Sequence, residues 1–364
     1  WAALNLILRE HRLEPPRLRL VESGKSVPAD SFVGYSNGRR SSNRVPHLRA
    51  PELTQLLRNG ATLILDAVQE LYQPLTALAE DLERTFQVPV QINAYAGWRT
   101  SQGFDCHWDD HDVFILQVAG RKHWRVYGTT REYPLARDIE RALERPDNPP
   151  VWDGFLENGD MLYIPRGWWH EAIPVDEPTL HLTLGIHNVT GADLLSWFVE
   201  RLRTHPEIRQ DLPRFATAAE QARWVKRIGE ILAEDWRPNV LAEYVAYLNA
   251  MTDPRPAIGL PWTAMPGVLP ADDGEYALTW NVIRPVELER GPDGTVELCA
   301  NRKRYRFAAA ALPVLQALRD ARTCSLEQLW SAAAGKLDRE TIRVFVRELV
   351  SEGLVSIASR EPKY

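Results

Sequence analysis

The chain has 364 residues, of which 45% are hydrophobic and 25% charged, with a net charge of -6. At roughly 150 residues per domain this length predicts two to three domains, and the composition excludes a disordered chain, a collagen-like repeat and a coiled coil. No run reaches the ~18 uninterrupted apolar residues of a membrane-spanning helix.

The charge is unevenly spread. Residues 1–50 carry 9 Lys/Arg against 4 Asp/Glu and residues 291–364 carry 12 against 9, leaving a net -14 on 51–290. An acidic middle argues against one continuous nucleic-acid surface and would attract a basic partner. Cys106, Cys299 and Cys324 are too scattered for a disulfide framework and form no CxxC pair, which predicts a cytoplasmic protein. The chain starts at Trp1, so its natural start is expected upstream, and a removed targeting segment stays open. Only 6 of the 43 basic residues are lysines, and Lys122 is the single one between Lys25 and Lys226.

Residues 2–12 predict a short amphipathic helix, followed by the alternating run RLRLVESG. Residues 51–87 predict helix, strand (ATLILDAV) and helix (LYQPLTALAEDLERTF). Between 90 and 190 lie short β-type runs bounded by turn residues: VQINAYAG, DVFILQVAG, KHWRVYG, GDMLYIP and TLHLTLGIHN, with 128–158 reading as loop. Many short strands with almost no helix mean a barrel or sandwich. Helical periodicity returns over 191–250, and the Pro/Gly-rich stretch 252–275 reads as a linker. Three strands and a helix at 308–321 follow. Then come helices capped by Ser325 and Asp338 and the strand LVSIAS, the order of a winged helix.

The sharpest chemical feature is GFDCHWDDHD at 103–112. His107 and Asp109, two residues apart, share a face if the segment is a strand. An imidazole and a carboxylate so placed supply two ligands of a facial Fe(II) site, and His170 in GDMLYIPRGWWHEA is the candidate third. Such a site leaves positions open for O2 and a chelating 2-oxo acid. The HxH…E pattern of four-ligand cupin sites is absent. The distal carboxylate of a 2-oxo acid needs a cation, which Lys122 or its neighbour Arg121 could provide; alternation lets only one of them face inward. In LHLTLGIHN the even positions are apolar, while His181, Thr183, Gly185 and His187 make a polar face that could line a pocket.

The segment NAYAGWRTSQGFDCHWDDHDVFILQVAGRKHWRVYG, with GDMLYIPRGWWHEA and LHLTLG after it, resembles the JmjC-type cupins known as ribosomal oxygenases, which are Fe(II)- and 2-oxoglutarate-dependent protein hydroxylases. The resemblance is strong over 90–190 and looser beyond. It implies an α+β chain: a double-stranded β-helix (jelly-roll cupin, JmjC) domain at 1–190, a helical dimerisation segment and linker at 191–270, and a winged helix at 271–364. It puts the catalytic iron ligands on His107, Asp109 and His170, the lysine that binds 2-oxoglutarate on Lys122, and pocket residues on Asn93 and Tyr95. Where some relatives carry a serine this chain has Gly185, so Thr183 or His187 would supply that contact. Trp168 and Trp169 also depart from the family pattern.

The expected reaction is hydroxylation of an Arg or His side chain of a ribosomal protein by a homodimeric dioxygenase. Rival readings are hydroxylation of a modified peptide or small metabolite, lysyl demethylation, and a non-catalytic cupin/winged-helix regulator. His111 and His123 read as satisfied or surface residues, as does His187 if it makes no pocket contact. Trp108, Trp152, Trp168 and Trp169 read as core or as a cleft for a basic side chain. The basic run Arg302, Lys303, Arg304, Arg306 precedes a helix of mixed charge, so protein docking is expected over DNA binding.

Overall fold

The computed structural model describes residues 1–37, 44–98, 103–138, 144–255, 259–265, 269–270, 276–291 and 293–359. These form two compact units, 1–188 and 189–364.

The first unit opens with α1 (Ala2–Glu10), β1 (Leu18–Glu22), β2 (Lys25–Ser26) and a hairpin of β3 (Val33–Asn37) and β4 (Arg44–Leu48). Then come α2 (Ala50–Asn59), β5 (Thr62–Leu65), α3 (Gln73–Phe86) and β6 (Val90–Gly97). The remaining strands are β7 (Asp112–Ala119), β8 (Lys122–Thr129), β9 (Trp152–Leu156), β10 (Met161–Ile164), β11 (Trp168–Ile173) and β12 (Thr179–Ile186). Helix α2 stops at Gly60, whose left-handed φ of +113° lets its N–H close back onto the last carbonyls.

Seven strands run in the order β10-β7-β12-β6-β5-β1-β2, and three in the order β11-β8-β9, all antiparallel. The large sheet sorts its side chains by alternation. One face carries Leu63, Leu65, Ile92, Ala94, Leu182 and Leu184 into a core with Leu53 of α2 and Ala79 of α3. The other face is polar. A second, smaller core (Val113, Ile115, Trp124, Val126, Leu156, Ile164) joins residues of both sheets, giving a jelly-roll sandwich.

Gly120 makes the β7–β8 turn possible. Its φ is +66°, and a Cβ there would lie 2.0 Å from the Pro178 carbonyl oxygen.

Three details differ from the sequence reading. Strand β9 lies in the stretch 128–158 read as loop, because WDGFL is too short and too polar to signal a strand by itself. The β3–β4 hairpin gave no clear alternation. The strand at ATLILDAV ends at Leu65, since the chain turns into a 3-10 segment at Val68–Glu70.

In the second unit α4 (Gly191–Leu202), α5 (Ala218–Asp235) and α6 (Val240–Ala250) enclose Phe198, Leu202, Ile231 and Val240. Capping boxes start two of them, Thr190 with Asp193 and Thr217 with Glu220. In the stretch 252–275 read as a linker, Trp262–Ala264 form a 3-10 turn, and residues 256–258, 266–268 and 271–275 lie outside the described residues.

Beyond it lie β13 (Tyr276–Trp280), β14 (Leu288–Arg290), β15 (Val296–Ala300), β16 (Lys303–Phe307), α7 (Leu312–Ala321), β17 (Thr323–Cys324), α8 (Leu326–Ala332), α9 (Arg339–Ser351) and β18 (Val355–Ser359). They share a separate core around Leu278, Leu298, Leu315, Leu329 and Val346. Ser325 caps α8 in a box with Gln328, and Asp338 accepts from the Thr341 N–H to cap α9. Among the described residues no helix is long and apolar enough to cross a membrane.

Candidate metal centre

A row of paired residues crosses five strands of the large sheet: Arg19 opposite Ile64, Ile64 opposite Tyr95, Tyr95 opposite His181, and His181 opposite Gln117. Because paired residues share a face, this row points away from the helix-covered core. The next row places Asn93 opposite Thr183 and Thr183 opposite Ile115. From the small sheet, β8 directs Lys122 and Trp124 inward. Together they line a cavity of about 320 Å³ that also contains His107, Asp109 and His170.

His107 and Asp109 do not sit on a regular strand. The 103–111 segment is irregular, held to β11 by one bridge. The His107 N–H donates to the His170 carbonyl (3.1 Å) and the His170 N–H to the His107 carbonyl (2.7 Å). The Gly167 N–H donates to the Asp109 carbonyl at 2.9 Å. Two ligand candidates are therefore cross-strand partners, and the third is tied down two residues away.

Each ring is oriented by its Nδ1–H. His107 donates to the Asp105 carbonyl (2.8 Å) and His170 to the Trp168 carbonyl (3.0 Å), which leaves both Nε2 lone pairs free. The Nε2 atoms lie 4.0 Å (His107) and 3.6 Å (His170) from the Asp109 carboxylate. The three donor atoms fall within 4.8 Å of one another, a spacing a single cation can bridge. Burial, with the neighbouring His107, pulls the His170 pKa down to about 4. A neutral imidazole there is ready to bind metal without first losing a proton. Two imidazoles and one carboxylate, with the rest of the cavity open, fit a facial Fe(II) site.

Lys122 is buried across the cavity. Its Nζ lies 5.9 Å from the Trp124 ring centroid, and burial lowers its pKa to about 8. The alternation question is answered: Lys122 faces in, while Arg121 faces out and pairs with Glu177 at 3.2 Å. Beside Lys122, His181 is buried between Tyr95, stacked at 4.9 Å, and Trp124, edge-on at 5.4 Å. Burial and the Lys122 charge hold its pKa well below the usual range, and its Nδ1 has no partner among the described residues. Asn93 accepts from the Ala67 N–H and from Gln91, both at 2.9 Å. Burial pushes the Tyr95 hydroxyl up to about 12.

Of the pocket residues expected from the sequence, Lys122, Asn93, Tyr95 and Thr183 line the cavity; His187 does not. It stacks on His111 at 4.4 Å instead. A Cβ at Gly185 would meet the His111 ring at 2.9 Å, so this glycine leaves room for that stack. Trp152 and Trp168 pack on the smaller core and Trp169 donates to Thr130 at 3.0 Å, which accounts for three of the four tryptophans without a cleft. Sequence reasoning missed Arg19, Phe104 and Trp124 as lining residues. Arg19 was findable, being the polar position between Leu18 and Leu20 in RLRLVESG.

Residues 68–194 match the family model described as "JmjC domain". The chain is 36% identical over 159 residues to the bifunctional lysine-specific demethylase and histidyl-hydroxylase NO66 of Drosophila persimilis, covering 43% of this chain and 23% of that protein. The NO66 of Caenorhabditis elegans is 34% identical over 162 residues, 42% of this chain and 21% of that protein. The chain thus spans about a third or less of the curated relatives it matches. Among solved structures, the ribosomal oxygenase YcfD from Escherichia coli aligns over 98% of this chain and 89% of that one, with a TM-score of 0.53 and 18% identity. A second YcfD structure, in complex with cobalt and 2-oxoglutarate, gives a TM-score of 0.54. The match to the JmjC domain model spans residues 68–194, the stretch that also carries His107, Asp109 and His170.

Proposed function

We propose that the protein is an Fe(II)- and 2-oxoglutarate-dependent dioxygenase that hydroxylates a protein side chain, an Arg or His of a ribosomal protein. One observation carries this reading: His107, Asp109 and His170 share a cavity with a buried lysine that makes no ion pair among the described residues. A metal site alone would not require that lysine. A dicarboxylate chelating the metal would repay the cost of burying it.

In this reading His107, Asp109 and His170 hold iron. Lys122 receives the distal carboxylate, with Thr183, Asn93 and Tyr95 around it. Iron held there would supply the oxidising chemistry, in which O2, 2-oxoglutarate and a substrate C–H bond give succinate, CO2 and the hydroxylated side chain. The chain's own work is orientation and exclusion of water. The carbonyls of Asp105 and Trp168 fix both imidazoles, Lys122 aligns the cosubstrate, and Trp124 and Ile115 keep the pocket apolar between them. The names of NO66, a histidyl-hydroxylase, and YcfD, a ribosomal oxygenase, support the substrate class. The acidic middle of the chain supports a basic partner.

The same reading makes the protein a cytoplasmic homodimer. Leu195, Val199, Leu241 and Tyr247, exposed on α4 and α6, support a dimerisation segment. The pair α8–α9 followed by β18 supports a winged helix. Its basic run is internally paired, Lys303 with Glu352 at 3.0 Å and Arg306 with Glu297 at 2.8 Å, which favours protein docking over DNA.

The test is incubation with Fe(II), ascorbate, 2-oxoglutarate and purified ribosomes. Succinate release and one added oxygen on a ribosomal peptide are expected. Turnover with no oxidised ribosomal peptide would remove the ribosomal substrate, and absence of succinate with every substrate would remove the dioxygenase.

A further inference from the structure

The polar face of β12 does not stop at Thr183. Gly185 follows it with the same parity, and the space a side chain there would take is filled by His111. A Cβ at Gly185 would lie 2.9 Å from both Cδ2 and Nε2 of that ring. The backbone at Gly185 is not left-handed, so the ring, rather than the main chain, is what a side chain would displace. His111 follows Asp109 by two residues and lines the same cavity as the metal cluster.

The ring is held on two sides. Its Nδ1–H donates to the Asp110 carboxylate at 2.9 Å, since a carboxylate can only accept. His187 stacks on it, with centroids 4.4 Å and planes 25° apart. Nε2 is left, with no hydrogen-bond partner among the described residues. In the neutral ring that atom is an acceptor. A histidine that reads as satisfied in the sequence is therefore satisfied at one nitrogen only.

Its position decides what the acceptor meets. Lys122 lies at the level of His181, because Trp124 touches both, the Lys122 Nζ at 5.9 Å and the His181 ring at 5.4 Å. From His181 to Gly185 the strand runs about 13 Å, longer than 2-oxoglutarate is from end to end. A cosubstrate anchored on Lys122 and chelating the metal stops short of His111, which is left to the substrate.

We propose that His111 is a substrate-positioning residue: its Nε2 accepts a hydrogen bond from an N–H of the polypeptide substrate and holds the reacting carbon beside the metal, on the side away from Lys122. The inference rests on the dioxygenase reading and adds a residue to it.

The test uses the full chain loaded with Fe(II) and 2-oxoglutarate, given purified ribosomes and, in parallel, a pool of randomised peptides. Succinate release and oxygen incorporation are measured separately. His111→Phe keeps a flat ring between Gly185 and His187 and removes Nε2. It should raise the succinate released per oxygen incorporated about three- to tenfold, because a loosely held substrate lets 2-oxoglutarate be consumed without it. His111→Gln, whose carboxamide oxygen can accept, should recover part of the coupling. Gly185→Ala, whose methyl displaces the ring, should behave like His111→Phe, and the two together should cost little more than either alone. If His111→Phe fails to fold, Gly185→Ala and His111→Gln still decide. The affinity of the Co(II)-loaded protein for 2-oxoglutarate, followed by visible absorption, should be the same in all of them. Unchanged coupling in the variants, or a fall in 2-oxoglutarate affinity as large as the loss of coupling, overturns the inference while leaving the dioxygenase intact. Absence of oxygen incorporation into ribosomes and peptides alike overturns the protein-hydroxylase reading, and the inference with it.

Discussion

The two faces of the seven-stranded sheet are built from the same strands and do opposite work. On β12, Leu182 and Leu184 enter the core under the helices, while His181 and Thr183, each one residue away, line the cavity. On β6 the same division separates Ile92 and Ala94 from Asn93 and Tyr95. One face is apolar and contributes stability. The other holds buried polar groups that cost stability until something binds them. A period of two residues is enough to keep the two jobs apart, so damage to one face should leave the other nearly intact.

The most severe way to break this separation is at the metal cluster. His107→Ala should lower succinate formation by at least about 100-fold, with the urea midpoint hardly moved; an equal loss of stability would mean that the polar face is structural. On the opposite face, Ile92→Ala should cost about 2–5 kcal/mol of folding free energy. The folded fraction should still bind Co(II), as seen by its visible absorption.

Lys122→Met sharpens the comparison from the cavity side. It should raise the KM for 2-oxoglutarate about 10–100-fold, and it should not lower the melting temperature, because a buried ammonium is replaced by an apolar chain of similar length. A weaker effect follows from its pKa of about 8. A bound carboxylate favours the charged lysine, so binding above that pH requires proton uptake. Affinity for 2-oxoglutarate should therefore be greatest below about pH 8 and decline above it, measured by calorimetry in buffers of different ionisation heat. The smallest effect belongs to the outward neighbour. Arg121→Ala, which removes an exposed pair with Glu177, should change stability by less than about 1 kcal/mol and leave the KM unchanged.

Much of this arrangement was readable in the sequence, and the reasons differ from residue to residue. Strands β6, β7, β8 and β12 announce themselves because each has one buried face, so their alternation is clean. His107 and Asp109 stand out as candidate ligands only when their spacing is read together with His170, Lys122 and the phrases around them, and a single backbone bridge to β11, with no regular strand, holds the segment. Whether Lys122 or Arg121 turned inward was undecidable without the register of β8. The contribution of Arg19 was harder still. A strand some seventy residues upstream adds its side chain to the cavity only because β1 pairs with β5 and β5 with β6, and pairing partners leave no mark in a single sequence. His187 had the right parity to reach the pocket, yet it lies one step past the end of β12 and turns to His111.

The reciprocal main-chain bonds between His107 and His170 bear on how the centre is loaded. The spacing of these two side chains is set by the peptide backbone, whose reciprocal bonds do not depend on an ion. A pocket preset in this way asks little rearrangement of an incoming cation and discriminates poorly between divalent ions of similar radius. Which metal occupies it would then be decided by supply, and exchange of one ion for another should proceed without unfolding the sandwich around it.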